Sequence, residues 1–381
     1  MTDTGDSQIR PFRISFPQAA LDDLHERLDR TRWPADVPGI GWEHGVASDR
    51  VRELATYWRH GFDLDKERGR LDSFPQFTTV IEGQTVHLVH VRSPEPNALP
   101  LILTHGWPMS FIEFLDVIGP LTDPRSHGGD PADAFDVVVP SIPGYGFSMP
   151  LSGTGWGAKR VAQAWDTLMK RLGYDRYGAQ GGDLGSFICR ELGVLAPDGL
   201  VGIHVMQIFA FPSGDPAEMA KLTEEDRRRL AILARFRERG GYNEIQSTRP
   251  HTLAYALDDS PVGTLAWNLE LPDGFGDTVD SLDRDVVLTN AAIYWLMGSS
   301  GTAAHIYYEN AHGGLDLDAE NATPTGVAVF DGDFETIRTF AERANTNIVH
   351  WSEFDRGGHF AAIAAPELLV GDLREFFRRF R

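Results

Sequence analysis

The pentapeptide Gly181-Gly182-Asp183-Leu184-Gly185 lies between a strand-like run, Tyr177-Gly178-Ala179-Gln180, and a helix-like stretch. Small residues on both sides of one functional residue let a strand and the following helix close tightly, and the turn lifts the central side chain above the sheet. The familiar form of this turn carries serine at its centre. Here the lifted group is a carboxylate. A carboxylate is a poor nucleophile toward esters and amides but attacks a strained or activated sp³ carbon, leaving a covalent ester on the enzyme. The turn therefore constrains both the fold beneath it and the reaction class above it.

A parallel sheet is the expected support. Leu101-Ile102-Leu103 and Val137-Val138-Val139 are short unbroken apolar runs suited to strands buried on both faces, Leu200 to Val205 reads as another buried strand, and Val327 to Phe330 and Ile348 to Trp351 as strand-like runs. Helices are predicted over 17–31, ended by Trp33-Pro34, and over 49–58, 156–171, 285–297 and 366–380. Near the N-terminus, Phe77 to Val80 and Val86 to Val91 read as strands around a turn at Glu82-Gly83-Gln84, and residues 93–100 read as a linker. From about 211 to 320 the chain turns helical and polar, with Met219 to Gly240 rich in Lys, Arg and Glu. The pattern predicts an α/β-hydrolase fold with a mostly parallel central sheet and an inserted helical cap.

Charge narrows the partners. With 35 basic and 55 acidic residues the net charge is −20, which repels nucleic acid and anionic membranes, so a small molecule is expected. The single cysteine, Cys189, excludes an internal disulfide and cysteine-rich zinc sites. The opening MTDTGDSQIRPFRI lacks the basic and apolar regions of a signal peptide, and no run approaches the roughly 20 apolar residues of a membrane span. A soluble, cytoplasmic protein is expected.

Hydrolysis of an ester on Asp183 requires a base, an acid to orient it, and donors for the oxyanion. In this fold the chain order is nucleophile, acid, histidine. His359, in Arg356-Gly357-Gly358-His359-Phe360, follows a strand, and its glycines suit a loop that approaches the elbow closely. The acid belongs after the strand ending at Phe330, where Asp331, Asp333 and Glu335 compete; Asp333 is preferred, at least two of the three being expected as solvated loop charges. His105-Gly106-Trp107-Pro108 follows the strand ending at Thr104, so the N–H groups of Trp107 and Leu184 are the candidate oxyanion donors. An acid above the elbow must come from the inserted segment, where Tyr242, Tyr255, Tyr294, Tyr307 and Tyr308 are candidates that periodicity does not separate. A serine esterase is disfavoured because the chain has no G-x-S-x-G. A haloalkane dehalogenase shares the aspartate and histidine, and a non-catalytic binder of the same fold is a rival of another class.

Ordered matches along the chain resemble the microsomal-type epoxide hydrolases. They include Thr31-Arg32-Trp33-Pro34, Tyr57-Trp58, Phe74-Pro75-Gln76-Phe77 and Ser93, then His105-Gly106-Trp107-Pro108 and Ser141-Ile142-Pro143-Gly144-Tyr145-Gly146. The Asp183 elbow, Asp259-Ser260-Pro261-Val262-Gly263 and Arg356-Gly357-Gly358-His359-Phe360-Ala361-Ala362 complete the series. The resemblance implies an N-terminal meander over 1–97 packing on core and cap, a core over 98–210 and 321–381, and a cap over 211–320. It implies Asp183 as nucleophile, His359 as base, Asp333 as relay acid, and Tyr242 and Tyr307 as holders of the epoxide oxygen. It further implies an aryl or bulky hydrophobic epoxide as substrate, no metal or organic cofactor, and a monomeric or homodimeric soluble bacterial member, with an enediyne-type natural-product pathway as one setting. Leu184 departs from the tryptophan usual after the nucleophile; its N–H survives, but the pocket wall changes.

Overall fold

A computed structural model describes residues 7–35, 37–271 and 282–381; residues 1–6 of the polar opening and part of the expected cap lie outside the described residues. Among the described residues the strands are β1 (Arg10–Phe12), β2 (Gln76–Ile81), β3 (Gln84–Val91), β4 (Leu99–Thr104), β5 (Phe135–Pro140), β6 (Tyr177–Gly181), β7 (Leu200–Val205), β8 (Thr325–Phe330) and β9 (Ile348–Phe354). They form one sheet in the order β1-β2-β3-β5-β4-β6-β7-β8-β9. The first three strands add antiparallel to β5, and every pair from β5 to β9 is parallel. Register decides where chemistry can sit: Thr104 of β4 pairs with Gly181 of β6, which pairs with Val205 of β7. The segments after these three strands therefore emerge side by side at the carboxyl edge, the usual ligand side of a parallel sheet.

Before the core lie α1 (Gln18–Asp29), α2 (Ser48–His60) and α3 (Leu64–Asp72), followed by α4 (Leu115–Thr122), α5 (Ala158–Arg171) and α6 (Leu184–Leu195). In α5, Ala158, Val161, Ala162, Trp165, Leu168 and Met169 recur at helical spacing and are buried. Between β7 and β8 come α7 (Pro216–Met219), α8 (Glu224–Arg239), α9 (Gly241–Thr248), α10 (Pro250–Asp259), α11 (Pro261–Leu269), α12 (Arg284–Leu296), α13 (Ser300–Ala303) and α14 (His305–His312). The N-terminal helices reach this insertion: Arg27 donates to Asp259 at 2.7 Å, and Tyr57 Oη to Asp285 at 2.8 Å.

Several boundaries differ from expectation. Strand β1 has only three residues, too few to show periodicity. Helix α3 buries only Glu67 and Leu71, so it lacks an apolar stripe; Asp63 starts it by accepting from Lys66 N–H at 3.0 Å. The linker ends at Ala98, because Leu99 and Pro100 already pair with Phe135 and Asp136. The hairpin turn is Glu82-Gly83 alone, both with positive φ, while Gln84 pairs with Ile81. The helix expected from 17 to 31 ends at Asp29, before Trp33-Pro34. Within the charged stretch Met219 to Gly240, Met219 closes the short helix α7 and the long helix α8 begins only at Glu224, where Thr223 and Asp226 form a capping box.

The C-terminal helix Pro366–Phe377 is pinned to the sheet by a buried charge. Asp372 accepts from His204 of β7 and from His350 of β9, each at 2.7 Å, and from Ser352 Oγ at 2.5 Å. Burial opposes its ionisation, but these hydrogen bonds prevail and hold its carboxyl below the ordinary range. Such a depressed acid contributes stability above the unfolded carboxylate value of about 4, and the contribution is lost on acidification through the folded value. Asp372→Ala leaves two histidines facing an empty acceptor, so urea unfolding at pH 7 should show a loss of about 3 kcal/mol or more. A loss below about 1 kcal/mol would show the cluster to be incidental.

Candidate active site

The elbow is built by close approach. A Cβ on Gly185 would stand 1.9 Å from Thr104 O, and one on Gly181 would stand 2.3 Å from Gly185. Only glycine lets β4, β6 and α6 converge there. Asp183 sits at the turn with φ 51° and ψ −121°, a costly conformation for a residue with a side chain. Its carboxylate is oriented from two sides. Trp107 N–H donates to Oδ1 at 2.9 Å, and His359 Nε2 faces Oδ2 at 3.6 Å, too long for a hydrogen bond. Leu184 opens α6, so its N–H is among the donors that a helix start leaves without intrahelical partners.

His359 and Asp333 meet across two loops. His359 Nδ1 donates to Asp333 Oδ1 at 2.6 Å. Gly357 and Gly358 carry φ of 126° and 60°, and Gly358 N–H donates to Asp331 O at 3.0 Å, tying the histidine loop to the acid loop. Asp331 is exposed whereas Asp333 is buried, which separates the two candidates. Glu335 is not a solvated loop charge: it is buried and paired with Arg228 and Arg229 of α8. Burial disfavours the imidazolium of His359, but Asp333 and Asp183 outweigh it and hold the ring well above its ordinary value. Burial likewise opposes the charge on Asp333, yet His359, Gln207 and the Phe334 N–H keep it lowered.

The tyrosines fall into distinct groups. Tyr242 of α9 stacks on Trp107 at 4.8 Å, and Tyr307 of α14 stands edge-on to both Trp107 and Tyr242 at 6.3 Å. Burial, then the nearby Asp183 charge, raise both phenols well above 10, so they are neutral O–H donors. Among the described residues neither hydroxyl meets a protein acceptor. By contrast Tyr294 donates to Met109 O at 3.0 Å, Tyr308 stacks on His312 at the surface, and Tyr255 is 74% exposed. Trp267 also borders Trp107, but its indole N–H is committed to Gln246 at 3.1 Å.

Two residues of this centre carry no motif in the sequence. Gln207, two residues past β7, accepts from Asp183 N–H at 2.7 Å and donates to Asp333. Glu113, in the short helix Phe111–Phe114, is buried, and desolvation pushes its carboxyl up to about 8. At neutral pH that acid is largely protonated. Among the described residues no group of histidine, cysteine and carboxylates is arranged to hold a metal, and no helix is long and apolar enough to cross a membrane.

Known proteins show the same plan. Residues 9–114 match the family described as epoxide hydrolase N terminus, and residues 100–243 the alpha/beta hydrolase fold. A protein of Stigmatella aurantiaca, provisionally named an epoxide hydrolase, is 43% identical over 98% of this chain and 86% of its own length. Epoxide hydrolase 1 of Sus scrofa is 34% identical over 97% of this chain and 89% of its own. The crystal structure of Bombyx mori juvenile hormone epoxide hydrolase superposes with a TM-score of 0.89 at 27% identity, covering 100% of this chain and 96% of that one. The Aspergillus niger epoxide hydrolase superposes at 0.86 with 31% identity, covering 99% and 97%. With its N-terminal region matching the epoxide hydrolase family and 34–43% identity to these relatives along nearly its whole length, the chain belongs to the microsomal-type epoxide hydrolases.

Proposed function

We propose that this enzyme converts an epoxide to a vicinal diol through a covalent ester on Asp183. The observation that carries the reading is the placement of two neutral, uncommitted phenols around Trp107, whose N–H holds the Asp183 carboxylate. Oδ2 of Asp183 attacks one oxirane carbon as its C–O bond breaks, and Tyr242 and Tyr307 hold the departing oxygen, one of them giving it a proton so that it becomes the ester's neighbouring hydroxyl and then regaining a proton from the imidazolium of His359. Oδ1 stays on the Trp107 N–H and becomes the ester carbonyl.

Esterification removes the charge on Asp183, one of the two carboxylates that hold His359 protonated. The imidazole then releases its proton more easily and becomes a competent base. Water gives a proton to His359 Nε2 and attacks Cγ of Asp183, the oxyanion being held by the N–H groups of Trp107 and Leu184. Collapse breaks the Cγ–O bond to the substrate carbon, the leaving alkoxide takes that proton from His359, and the new carboxylic acid of Asp183 gives its own proton to the imidazole, restoring the starting carboxylate and imidazolium. Aromatic walls from Trp107, Trp267, Tyr242 and Tyr307 favour aryl or bulky hydrophobic epoxides.

The phenols also supply the test. Tyr242→Phe and Tyr307→Phe should each lower kcat/KM for styrene oxide by about 10²-fold, and the double variant should lose nearly all diol formation. Halide release from haloalkanes, unaffected by either substitution and without diol from epoxides, would assign a dehalogenase instead. The commitment of the Trp267 N–H to Gln246 argues against halide binding there.

A further inference from the structure

Asp183 N–H can only donate and a carboxylate can only accept, so a side chain touching both needs an acceptor and a donor on one rigid group. Gln207 meets that demand. Its Oε1 stands 2.7 Å from Asp183 N and 3.1 Å from Ser186 Oγ, while its Nε2 bonds Asp333 Oδ2. The amide orientation is fixed by its two ends. Gln207 is 1% exposed and directly follows Met206, whose N–H bonds Gly181 O, so its backbone is anchored to the elbow strand as well.

We infer that Gln207 is a positioning residue for both halves of the reaction, fixing the strained elbow at Asp183 and the Asp333 carboxylate relative to one another. The inference rests on the reading of Asp183 as nucleophile and of His359 with Asp333 as base and relay acid. At the elbow, the bond to Asp183 N–H sustains a positive φ that would otherwise relax. At the acid, it occupies Oδ2 and leaves Oδ1 directed at His359 Nδ1. Asn in its place is one methylene too short to span both partners, and an apolar residue leaves the buried Asp183 N–H unpaired and takes one donor from the buried Asp333 carboxylate.

The second consequence is electrostatic. The groups facing His359 are Asp333 from the loop after β8, Asp183 from the elbow, and Glu113 from the helix after β4. Asp183 is neutral once esterified and Glu113 is largely protonated, so Asp333 dominates during hydrolysis. The Gln207 N–H shares part of the negative charge on Asp333. Without it the carboxylate pulls harder on the imidazolium, and the ring releases its proton only at higher pH.

The test separates the half-reactions by stopped-flow single turnover on styrene oxide across pH, following ester formation and ester hydrolysis. For Gln207→Leu, hydrolysis should slow by about 10²-fold, more than ester formation, and its acidic limb should move up by about half a pH unit or more. Should the branched side chain prevent folding, Gln207→Met, unbranched and of similar length, makes the same comparison. An unmoved acidic limb, or parent-like rates in both half-reactions, overturns the inference and leaves Gln207 as packing. Absence of any ester in the parent enzyme would instead overturn the covalent mechanism, a result read independently of the Gln207 variants.

Discussion

Asp183→Asn is expected to abolish diol formation, lowering kcat by roughly four orders of magnitude or more, as for loss of one member of a unit that acts together. The substitution is shaped to remove only chemistry. Asparagine tolerates positive φ better than most residues, so the 51° conformation at the elbow survives. Its side-chain oxygen still accepts the Trp107 N–H that now holds Oδ1 at 2.9 Å. What disappears is the nucleophilic oxygen facing His359. A far-ultraviolet spectrum and melting curve like those of the parent, together with lost turnover, is the predicted result; a folded variant that retains turnover would assign the nucleophile elsewhere, and one that still binds epoxide without change in a protein that never turned it over would make the chain a binder.

His359→Gln should lose steady-state turnover to a similar degree, roughly 10⁴-fold, but by a different route. Ester formation needs Asp183 and the two phenols, none of which the substitution touches. Ester hydrolysis needs the base. The variant should therefore accumulate protein heavier by one substrate molecule, the added mass mapping to the peptide that contains Asp183. Intact-protein mass spectrometry after mixing with excess styrene oxide reads this directly. An inactive, folded variant without an adduct would place His359 in the first step instead.

The sequence reveals this site unevenly, for physical reasons. Asp183 and His359 stand out because each lies in a turn that requires glycines: Gly181 and Gly185 for close approach, Gly357 and Gly358 for positive φ. Asp331 and Asp333 are harder to tell apart, since residues two apart share a strand face and only the turn after Phe330 buries one and exposes the other. The same holds for adjacent Tyr307 and Tyr308, which a helix rotates to different sides, so that one is 9% and the other 39% exposed. Gln207 and Glu113 were illegible. Their roles come from partners distant in sequence, Gln207 reaching Asp333 across 126 positions, and no spacing rule encodes that. Strands β4 and β5 declared themselves as apolar runs, whereas α3, a charged helix at the surface, had no apolar stripe to betray it.

The central claim is that an oxygen of Asp183 enters the product. Enzyme in excess over styrene oxide, allowed one turnover in ¹⁸O-water, should yield a first diol whose new hydroxyl carries unlabelled oxygen, with the label appearing in the Asp183 carboxylate. Label found wholly in that first diol would mean that water attacked the epoxide directly, and would contradict the covalent account.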